Sequence, residues 1–447
     1  MNELKKKIKN KSAKIVIVGL GYVGLPVACL FAKKGFSVAG INRGKEKVDL
    51  INKGVSPLDT VEEGIAELVK EAVKKHGLAA TTDYKPIQNA DIVIIAVETP
   101  VDEKTHLPNY KSLKSALTSV GDNLKKGTLV VVESTIAPGT TDSLVVPTLE
   151  KTSKLQVNKD FFVGHCPERV KANRLLYQLK NYPRVIGGLT KETGNVMALL
   201  YKTIIKADLD ITDPLTAEVV KTEENTFSDT LIAQANALAL LSQSYGVNAH
   251  EVTALIRKIP GHWVSYLNPG PGVGGHCIPK DPYLKISKLQ KNTNGRADKL
   301  VSQLVNLVRE INDYMPQNMV ELLKKSMKEA HVKKENAKVV VFGYAYKENT
   351  DDSRNSPTEV LVKNLGGKVK EIKIHDPHVR QFNADMRKVL KGTDSLLLMV
   401  GHDKYKTIKL AEIKALMRSP IIIDGRNFFS REEAERLGFI YKGVGNA

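Results

Sequence analysis

The sequence predicts an α/β chain in which two doubly wound parallel sheets flank a central helical domain built on one long helix. Three observations carry this. Short apolar runs alternate with amphipathic stretches through residues 1–211, helical periodicity takes over through 212–330, and the alternation returns over 331–447. At 447 residues the chain is long enough for two or three separate cores.

In the first segment, residues 15–18 (IVIV) read as a buried strand, 25–34 as a helix and 37–41 as a second strand. Gly35 stands where that helix should end, because glycine enters the left-handed conformation at little cost. Residues 91–97 and 128–132 read as further buried parallel strands. In the middle segment, 216–245 form one long helical pattern, with Val219, Val220, Leu231, Ile232, Ala235, Leu238 and Leu241 at helical spacing. A Pro/Gly-rich stretch, 268–275, interrupts it before a second helical run over 297–328. Beyond the polar link 331–338, the strands expected are 339–342, 371–374, 395–400 and 421–423. There is no internal repeat at solenoid period and no low-complexity segment.

Composition narrows the class. With 42% hydrophobic and 26% charged residues, the chain reads as soluble and globular. No stretch approaches the ~20 apolar residues that span a bilayer. The basic N-terminus, MNELKKKIKNKSAK, leads into no apolar signal core, so nothing argues for secretion. Three cysteines, Cys29, Cys166 and Cys277, are too few for a disulfide framework and imply a reducing, cytoplasmic setting. The 67 basic against 49 acidic residues leave a formal charge of +18. The lysines are scattered and aromatics are only 6%, so neither a nucleic acid nor a membrane is the expected partner. The excess reads first as a solvated lysine-rich surface, and second as attraction for a small phosphate-bearing substrate.

Gly19-Leu-Gly21-Tyr22-Val23-Gly24 follows a strand and opens a helix. In that context the first glycine turns the chain, the second admits a pyrophosphate, and the third lets helix and strand approach. The helix N-terminus would then face the phosphates. The segment therefore predicts a Rossmann-like, dinucleotide-binding domain. One position departs. The second strand should end in an acid that holds the ribose 2′-hydroxyl, and here Asn42-Arg43 stands instead. Asparagine still bonds a hydroxyl but does not repel a 2′-phosphate, and an arginine pairs with one. NAD is expected, with NADP left open.

The segment 274–282, GGHCIPKDP, carries the chemistry. An ionised cysteine is a good nucleophile, the glycines admit substrate to the sulfur, and Asp281 lies four residues beyond. By itself this leaves Cys277 evenly divided between nucleophile and structural thiol. Lys221 and Asn225 are four apart on the central helix and so share a face, where an ammonium and an amide suit a developing oxyanion. Composition alone would make Lys221 one more surface lysine. Two further segments, 133–141 (ESTIAPGTT) and 165–170 (HCPERV), place polar residues directly after apolar runs, where α/β sheets bind ligands. Cys29 and Cys166 read as small buried residues, and His165 and His276 lack a third ligand at metal-binding spacing, so no metal is expected.

Taken together, these motifs closely resemble the UDP-glucose/GDP-mannose dehydrogenase family. The resemblance spans essentially the whole chain: GLGYVGLP at 19–26, Glu98-Thr99-Pro100, Ser134-Thr135-Ile136, Pro167-Glu168-Arg169, Lys221 with Asn225, PGPGVGGHCIPKDP at 269–282, Lys347, the run 349–357 and Asp424-Gly-Arg426-Asn427. It implies a double oxidation of a nucleotide-sugar C6 alcohol that consumes two cofactors and releases no aldehyde. Cys277 would capture the aldehyde as a thiohemiacetal and carry the thioester, with Lys221 and Asn225 stabilising the oxyanion. Asp281 and Thr135 would position or deprotonate a water, and Glu168 would take part in hydrolysis. Arg169 and Val170 would border the sugar; Gly274, Lys347 and Arg426 would contact substrate; and Arg354, Thr99 and Pro100 would contact cofactor. The long helix would build a homodimer. Gly-Gly-His-Cys-Ile-Pro and Pro-Glu-Arg-Val look most like the branch acting on UDP-N-acetylhexosamines, with UDP-N-acetylmannosamine first and UDP-N-acetylglucosamine second. One departure is the absence of an arginine that relatives often carry before the Pro-Gly-Pro-Gly stretch, where this chain has Pro260-Gly-His262-Trp263 and, earlier, Arg257.

The chemistry agrees with the resemblance. A primary alcohol that loses one hydride stops at the aldehyde, and a second loss needs a tetrahedral adduct that a thiol supplies. The alternatives are a UDP-glucose 6-dehydrogenase, a two-electron dehydrogenase of the 6-phosphogluconate or 3-hydroxyacyl type that has no use for Cys277, and a cofactor-sensing protein without turnover.

Overall fold

The computed structural model describes residues 1–58, 62–170, 174–258, 267–291 and 295–446. The chain divides into two compact units, Met1–Glu224 with Tyr283–Thr293, and Asn225–Pro282 with Asn294–Ala447.

The first unit is built on eight strands: β1 (Lys14–Val18), β2 (Ser37–Ile41), β3 (Ala79–Thr81), β4 (Ile92–Ile95), β5 (Leu129–Val132), β6 (Phe162–His165), β7 (Arg184–Gly188) and β8 (Leu209–Thr212). Their order is β3-β2-β1-β4-β5-β6-β7-β8, the doubly wound order extended by two strands. β4 and β5 are apolar and buried at every position because helices cover both faces, which leaves no solvent side to alternate with. Two apolar cores result, one holding Ile15, Ile17, Phe31 and Ile94, the other Val16, Val93, Val130 and Leu149. Gly35 has φ 91° and closes the helix Gly24–Lys33, as its position suggested.

This sheet is mixed. β7 runs antiparallel to β6, with Gly164 opposite Gly188 and His165 opposite Gly187, and β8 follows β7 in parallel. Periodicity does not reveal these strands. β8 is only half-covered, and β7 (RVIGG) owes its glycines to close approach: a Cβ on Gly187 would lie 2.6 Å from the Pro214 backbone, and one on Gly188 2.2 Å from the Gly194 amide.

The second unit contains a parallel sheet of β9 (Lys338–Phe342), β10 (Glu371–His375), β11 (Ser395–Leu398), β12 (Ile421–Asp424) and β13 (Ile440–Gly443), ordered β10-β9-β11-β12-β13. The helix Arg296–Glu329 turns Met315, Met319, Leu323 and Met327 onto Val339 and Val341 of this sheet. The long helix Pro214–Tyr245 begins in the first unit and continues in the second. Within the second unit its polar residues are bonded to those of Arg296–Glu329. Arg309 Nη1 donates to Asp229 Oδ1 at 2.6 Å, Asn312 Nδ2 donates to the same oxygen at 2.7 Å, and Asn236 Nδ2 donates to Asn312 Oδ1 at 2.9 Å. Asn236 Oδ1 in turn accepts the Gly270 N–H at 2.9 Å, which fixes the start of the Pro/Gly-rich loop. Among the described residues, no helix is long and apolar enough to cross a membrane.

Candidate active site

β1 and β4 are neighbours, yet the connections leaving them diverge, so a crevice opens beyond their carboxyl ends. A cavity of about 210 Å³ occupies it, lined by Gly19, Gly21, Asn42, Arg43, Val97 and Glu98 among others. Gly19 (φ 97°) would bring a Cβ to 2.5 Å from the Ala96 carbonyl, and a Cβ on Gly24 would lie 1.9 Å from the Gly19 carbonyl. A Cβ on Gly21 would meet nothing within 4 Å. Two glycines are thus required by the protein's own packing, while the third faces open space. That asymmetry suits a pyrophosphate laid against Gly21.

At the far side of the cavity Asn42 Oδ1 accepts the Gly44 N–H at 2.9 Å. Arg43 Nη2 donates to Ser112 Oγ at 3.2 Å, and Ser112 Oγ donates to Glu98 Oε1 at 3.1 Å. A carboxylate therefore reaches this end of the cavity from the loop after β4, although the tip of β2 lacks one. Tyr22 Oη donates to Glu62 at 2.5 Å, and Val23 packs partly buried against the first core. Thr99 Oγ1 donates to the Thr135 carbonyl at 2.6 Å and Ser134 Oγ to the Val97 carbonyl at 2.6 Å, binding the Thr99-Pro100 loop to the one that carries Thr135. Glu218, buried on the long helix, accepts the Gly139 N–H (2.6 Å) and both the N–H and hydroxyl of Thr141 (2.8 and 2.7 Å). It caps that same loop from a position three residues before Lys221, which is itself 6% exposed.

Glu168 and Arg169 lie just beyond β6. Arg169 Nε donates to Glu224 at 3.0 Å and Nη1 to the Pro183 carbonyl at 3.0 Å, and Val170 is partly buried against the first core. Glu168 is only 7% exposed and pairs with Arg184, whose other arm reaches Glu133 Oε1 at 3.0 Å. Tyr201 Oη donates to the same Glu133 oxygen at 2.9 Å, and the Arg184 guanidinium lies 5.5 Å above the Tyr201 ring. Burial pushes the Glu133 carboxyl up to about 7, against the pull of Arg184. Burial also lifts Cys166 to about 12 and Cys29 to about 12, so both thiols stay protonated and inert.

In the second unit Cys277 is exposed at the end of its glycine loop and forms no disulfide. Its carbonyl accepts the N–H groups of Lys280 (3.0 Å) and Asp281 (2.9 Å), the turn that opens the helix Asp281–Lys291. The Gly275 N–H donates to the Arg354 carbonyl at 2.9 Å, and Asn355 Nδ2 donates to the Gly275 carbonyl at 3.0 Å. A Cβ on Gly274 would lie 2.7 Å from both the Asn355 carbonyl and Tyr346 Cβ, so glycine there is a packing requirement. Asp281 is buried, accepting from Asn225 Nδ2 at 2.5 Å, with Lys280 Nζ 2.7 Å from its second oxygen. Burial lowers the His276 pKa, helped by Lys280 and Arg354, and keeps the imidazole neutral. Arg354 is locked to Asp352 by two bonds of 2.9 and 2.6 Å.

Lys347, half-buried, follows β9, and Arg426 follows β12, on loops at the carboxyl edge of the second sheet. Asp376 holds the first of these loops by accepting the N–H groups of Tyr344 (2.7 Å) and Ala345 (2.9 Å), while His402 Nδ1 accepts the Asn349 N–H at 2.9 Å. Arg426 Nε donates to the Met399 carbonyl at 3.0 Å, and its guanidinium lies so close to Gly270 that a Cβ there would come within 2.7 Å. Among the described residues there is no cluster of three His, Cys, Asp or Glu side chains able to hold a metal. Pro260, His262 and Trp263 lie outside the described residues.

Three family domains match in order. The NAD-binding domain covers residues 13–205, the central domain 215–314 and the UDP-binding domain 340–431. The chain belongs to the UDP-glucose/GDP-mannose dehydrogenase family. It is accordingly a nucleotide-sugar dehydrogenase, an oxidoreductase that uses a nicotinamide dinucleotide. It is 37% identical to the UDP-N-acetyl-D-mannosamine dehydrogenase of Pyrococcus horikoshii over 97% of this chain and 99% of that one, and the structure of that protein superposes with a TM-score of 0.89. The enzyme of the same name from Methanocaldococcus jannaschii is 36% identical over 95% of each chain. A Methanosarcina mazei structure described as an NDP-N-acetyl-D-galactosaminuronic acid dehydrogenase is 33% identical, with a TM-score of 0.86 over 99% of this chain and 97% of its own.

The sequence motifs named every glycine of the dinucleotide loop and the cysteine segment. They did not point to Arg184, Glu218 or Asn236, which sit in no recognisable pattern, and they reached Glu133 only as the first residue of the segment 133–141. For Arg184 a signal exists in the strand register: continuing the β6–β7 pairing three residues past His165 and Gly187 sets Glu168 opposite Arg184.

Proposed function

We propose that this nucleotide-sugar dehydrogenase converts the C6 hydroxyl of a UDP-N-acetylhexosamine to a carboxylate in a four-electron oxidation, with UDP-N-acetylmannosamine as substrate ahead of UDP-N-acetylglucosamine. The observation that carries this is Cys277, exposed at the tip of a glycine loop whose backbone is pinned by Arg354 and Asn355. The names of the relatives from Pyrococcus and Methanocaldococcus support the choice of sugar.

The bound dinucleotide supplies the oxidising equivalents, two per sugar. The chain's own residues do the rest. The Cys277 sulfur bonds to the C6 aldehyde carbon, which gives a tetrahedral thiohemiacetal in place of a free aldehyde and, after the second oxidation, a thioester. The ammonium of Lys221 and the amide of Asn225 stabilise the oxyanion, a contribution of about 10²–10³ in rate for one such donor. Asp281, paired with Lys280 and assisted by Thr135, orients water, and Glu168 serves the hydrolysis. Arg169, Val170, Gly274, Lys347 and Arg426 hold the nucleotide sugar, while Thr99, Pro100 and Arg354 border the cofactor.

NAD is the proposed cofactor, with NADP also admitted. Arg43 offers a cation to a 2′-phosphate, and Glu98 reaches the same end of the cavity through Ser112 with the opposite charge. We further propose a homodimer formed through the central helices, on which Phe227, Leu241, Tyr245, Leu300, Leu304 and Leu307 are all more than half exposed. A cytoplasmic setting fits three cysteines without a disulfide.

One experiment tests the assignment. Purified enzyme is incubated with NAD or NADP and with UDP-glucose, UDP-N-acetylglucosamine, UDP-N-acetylgalactosamine or UDP-N-acetylmannosamine, and reduced cofactor is counted per uronate formed. Two per uronate with an N-acetylhexosamine is expected, and a Cys277→Ala variant should form no uronate. One per product, or full turnover without Cys277, would overturn the reading.

A further inference from the structure

Arg184 is among the largest fully buried side chains of the protein, and it stands between two carboxylates. Glu133 extends from the end of β5, Glu168 from the loop after β6, and Tyr201 from the end of the helix Lys191–Tyr201. Cys166 completes the set of titratable groups that act on the guanidinium. Burial disfavours its charge, yet Glu168 and Glu133 hold it firmly cationic. Such a cluster in an apolar core is expensive to maintain, because desolvating three charges is repaid only when each finds its partner. A core needing stability alone would be served as well by apolar residues of similar volume. The arrangement also has a direction. Arg184 begins β7, and β7 runs against β6, so its guanidinium arrives at the sheet edge where Glu168 leaves the strand. The Glu168 side chain is 8% exposed, its second oxygen accepting the Arg169 N–H at 2.7 Å, so both oxygens are oriented from the protein side.

We propose that Arg184 is a positioning residue for thioester hydrolysis, holding the Glu168 carboxylate fixed in orientation while Glu133 and Tyr201 anchor its other arm. The inference rests on the thioester reading above. In the step concerned, the water oxygen bonds to the thioester carbonyl carbon and the Glu168 carboxylate accepts one proton from that water. The carbon–sulfur bond breaks with its electron pair left on Cys277, and the resulting acid ionises to the uronate, releasing its proton to the thiolate or to solvent. A carboxylate that had lost its guanidinium would rotate out of alignment with the water, and the acyl-enzyme would persist.

The test uses the full-length enzyme with NAD and its best UDP-sugar. Reactions are quenched in acid and weighed intact by mass spectrometry, alongside steady-state kinetics. Arg184→Lys keeps the charge but reaches one carboxylate instead of two. It should lower kcat at least tenfold, leave KM for the UDP-sugar within threefold, and accumulate an acyl adduct on Cys277, as should Glu168→Gln. An adduct in Glu168→Gln but not in Arg184→Lys overturns the positioning role and leaves the thioester reading intact. No adduct in either, together with turnover by Cys277→Ala, overturns the thioester reading itself. Should Arg184→Lys not fold, Glu133→Gln carries the test: it keeps the shape and weakens the anchor on the other arm of the guanidinium, so it should lower kcat and accumulate the same acyl adduct on Cys277. Unchanged kcat with no adduct in that variant overturns the proposal.

Discussion

Asn225 Nδ2 donates to Asp281 Oδ2 at 2.5 Å, while Lys280 Nζ sits 2.7 Å from the other carboxylate oxygen. The aspartate, in a buried position, is therefore held on one oxygen by a hydrogen bond and on the other by an ion pair. An amide in its place would keep the shape but offer Asn225 and Lys280 one acceptor fewer. Asp281→Asn should cut kcat by about 10²-fold or more, with KM for either substrate changed only severalfold. Steady-state kinetics in both substrates checks this, and a purely KM effect would mean that Asp281 only binds.

Gly274 separates sulfur placement from sulfur chemistry. A methyl group there meets the Asn355 carbonyl and Tyr346 at 2.7 Å, so the loop must move away from its support. A displacement near 1 Å costs about 10²-fold in a reaction that depends on alignment. Gly274→Ala should fold, retain UDP-sugar binding within an order of magnitude by calorimetry, and lose kcat by about that factor. Unchanged kcat would show that the loop tolerates movement.

The dinucleotide loop gives a contrasting pair. Gly24→Ala places a Cβ 1.9 Å from the Gly19 carbonyl and should damage folding itself, which a lowered melting temperature would show. Gly21→Ala meets nothing within 4 Å and should melt like the wild type while KM for the dinucleotide rises about tenfold or more. Equal effects on melting would remove the argument that Gly21 is kept open for a ligand.

Glu133 makes a prediction in pH. Its carboxyl titrates near 4.5 when exposed and near 7 in the fold, because burial favours the neutral form. A raised folded pKa means that its contribution to stability is fully present below pH 4.5 and is lost as pH rises through 7. Relative to Glu133→Gln, the wild type should lose on the order of 3 kcal/mol between pH 5 and 8. Denaturant titrations at the two pH values check the slope, and a parallel trend in both proteins would assign it to other groups.

How far the sequence could be read depended on how local each signal was. The helix Pro214–Tyr245 declares itself through 32 residues of spacing, and the glycines of 19–24 through a strand before and a helix after. Gly274, Gly275 and Cys277 form a contiguous motif, so their importance is visible even though the reason, contact with Tyr346 and Asn355, is not. β3, with three residues, and β8, with neither face fully covered, carry too little pattern for any periodicity to show. Arg184 lay beyond reach for another reason. Its partners are 51 and 16 positions away in the chain, and only the direction of one strand connects them.

That direction has a wider bearing on how such folds acquire function. In an all-parallel sheet, each strand delivers side chains to the ligand-binding rim only as it ends, so the rim is furnished by the loops that leave the apolar runs. The reversal at β7 makes a strand deliver at its beginning, and the residue that arrives is anchored by a whole strand instead of a loop. A rim position built this way resists the insertions and drift that loops absorb. Chain reversal thus sets one buried cation on a rigid strand, facing a carboxylate that leaves on a loop.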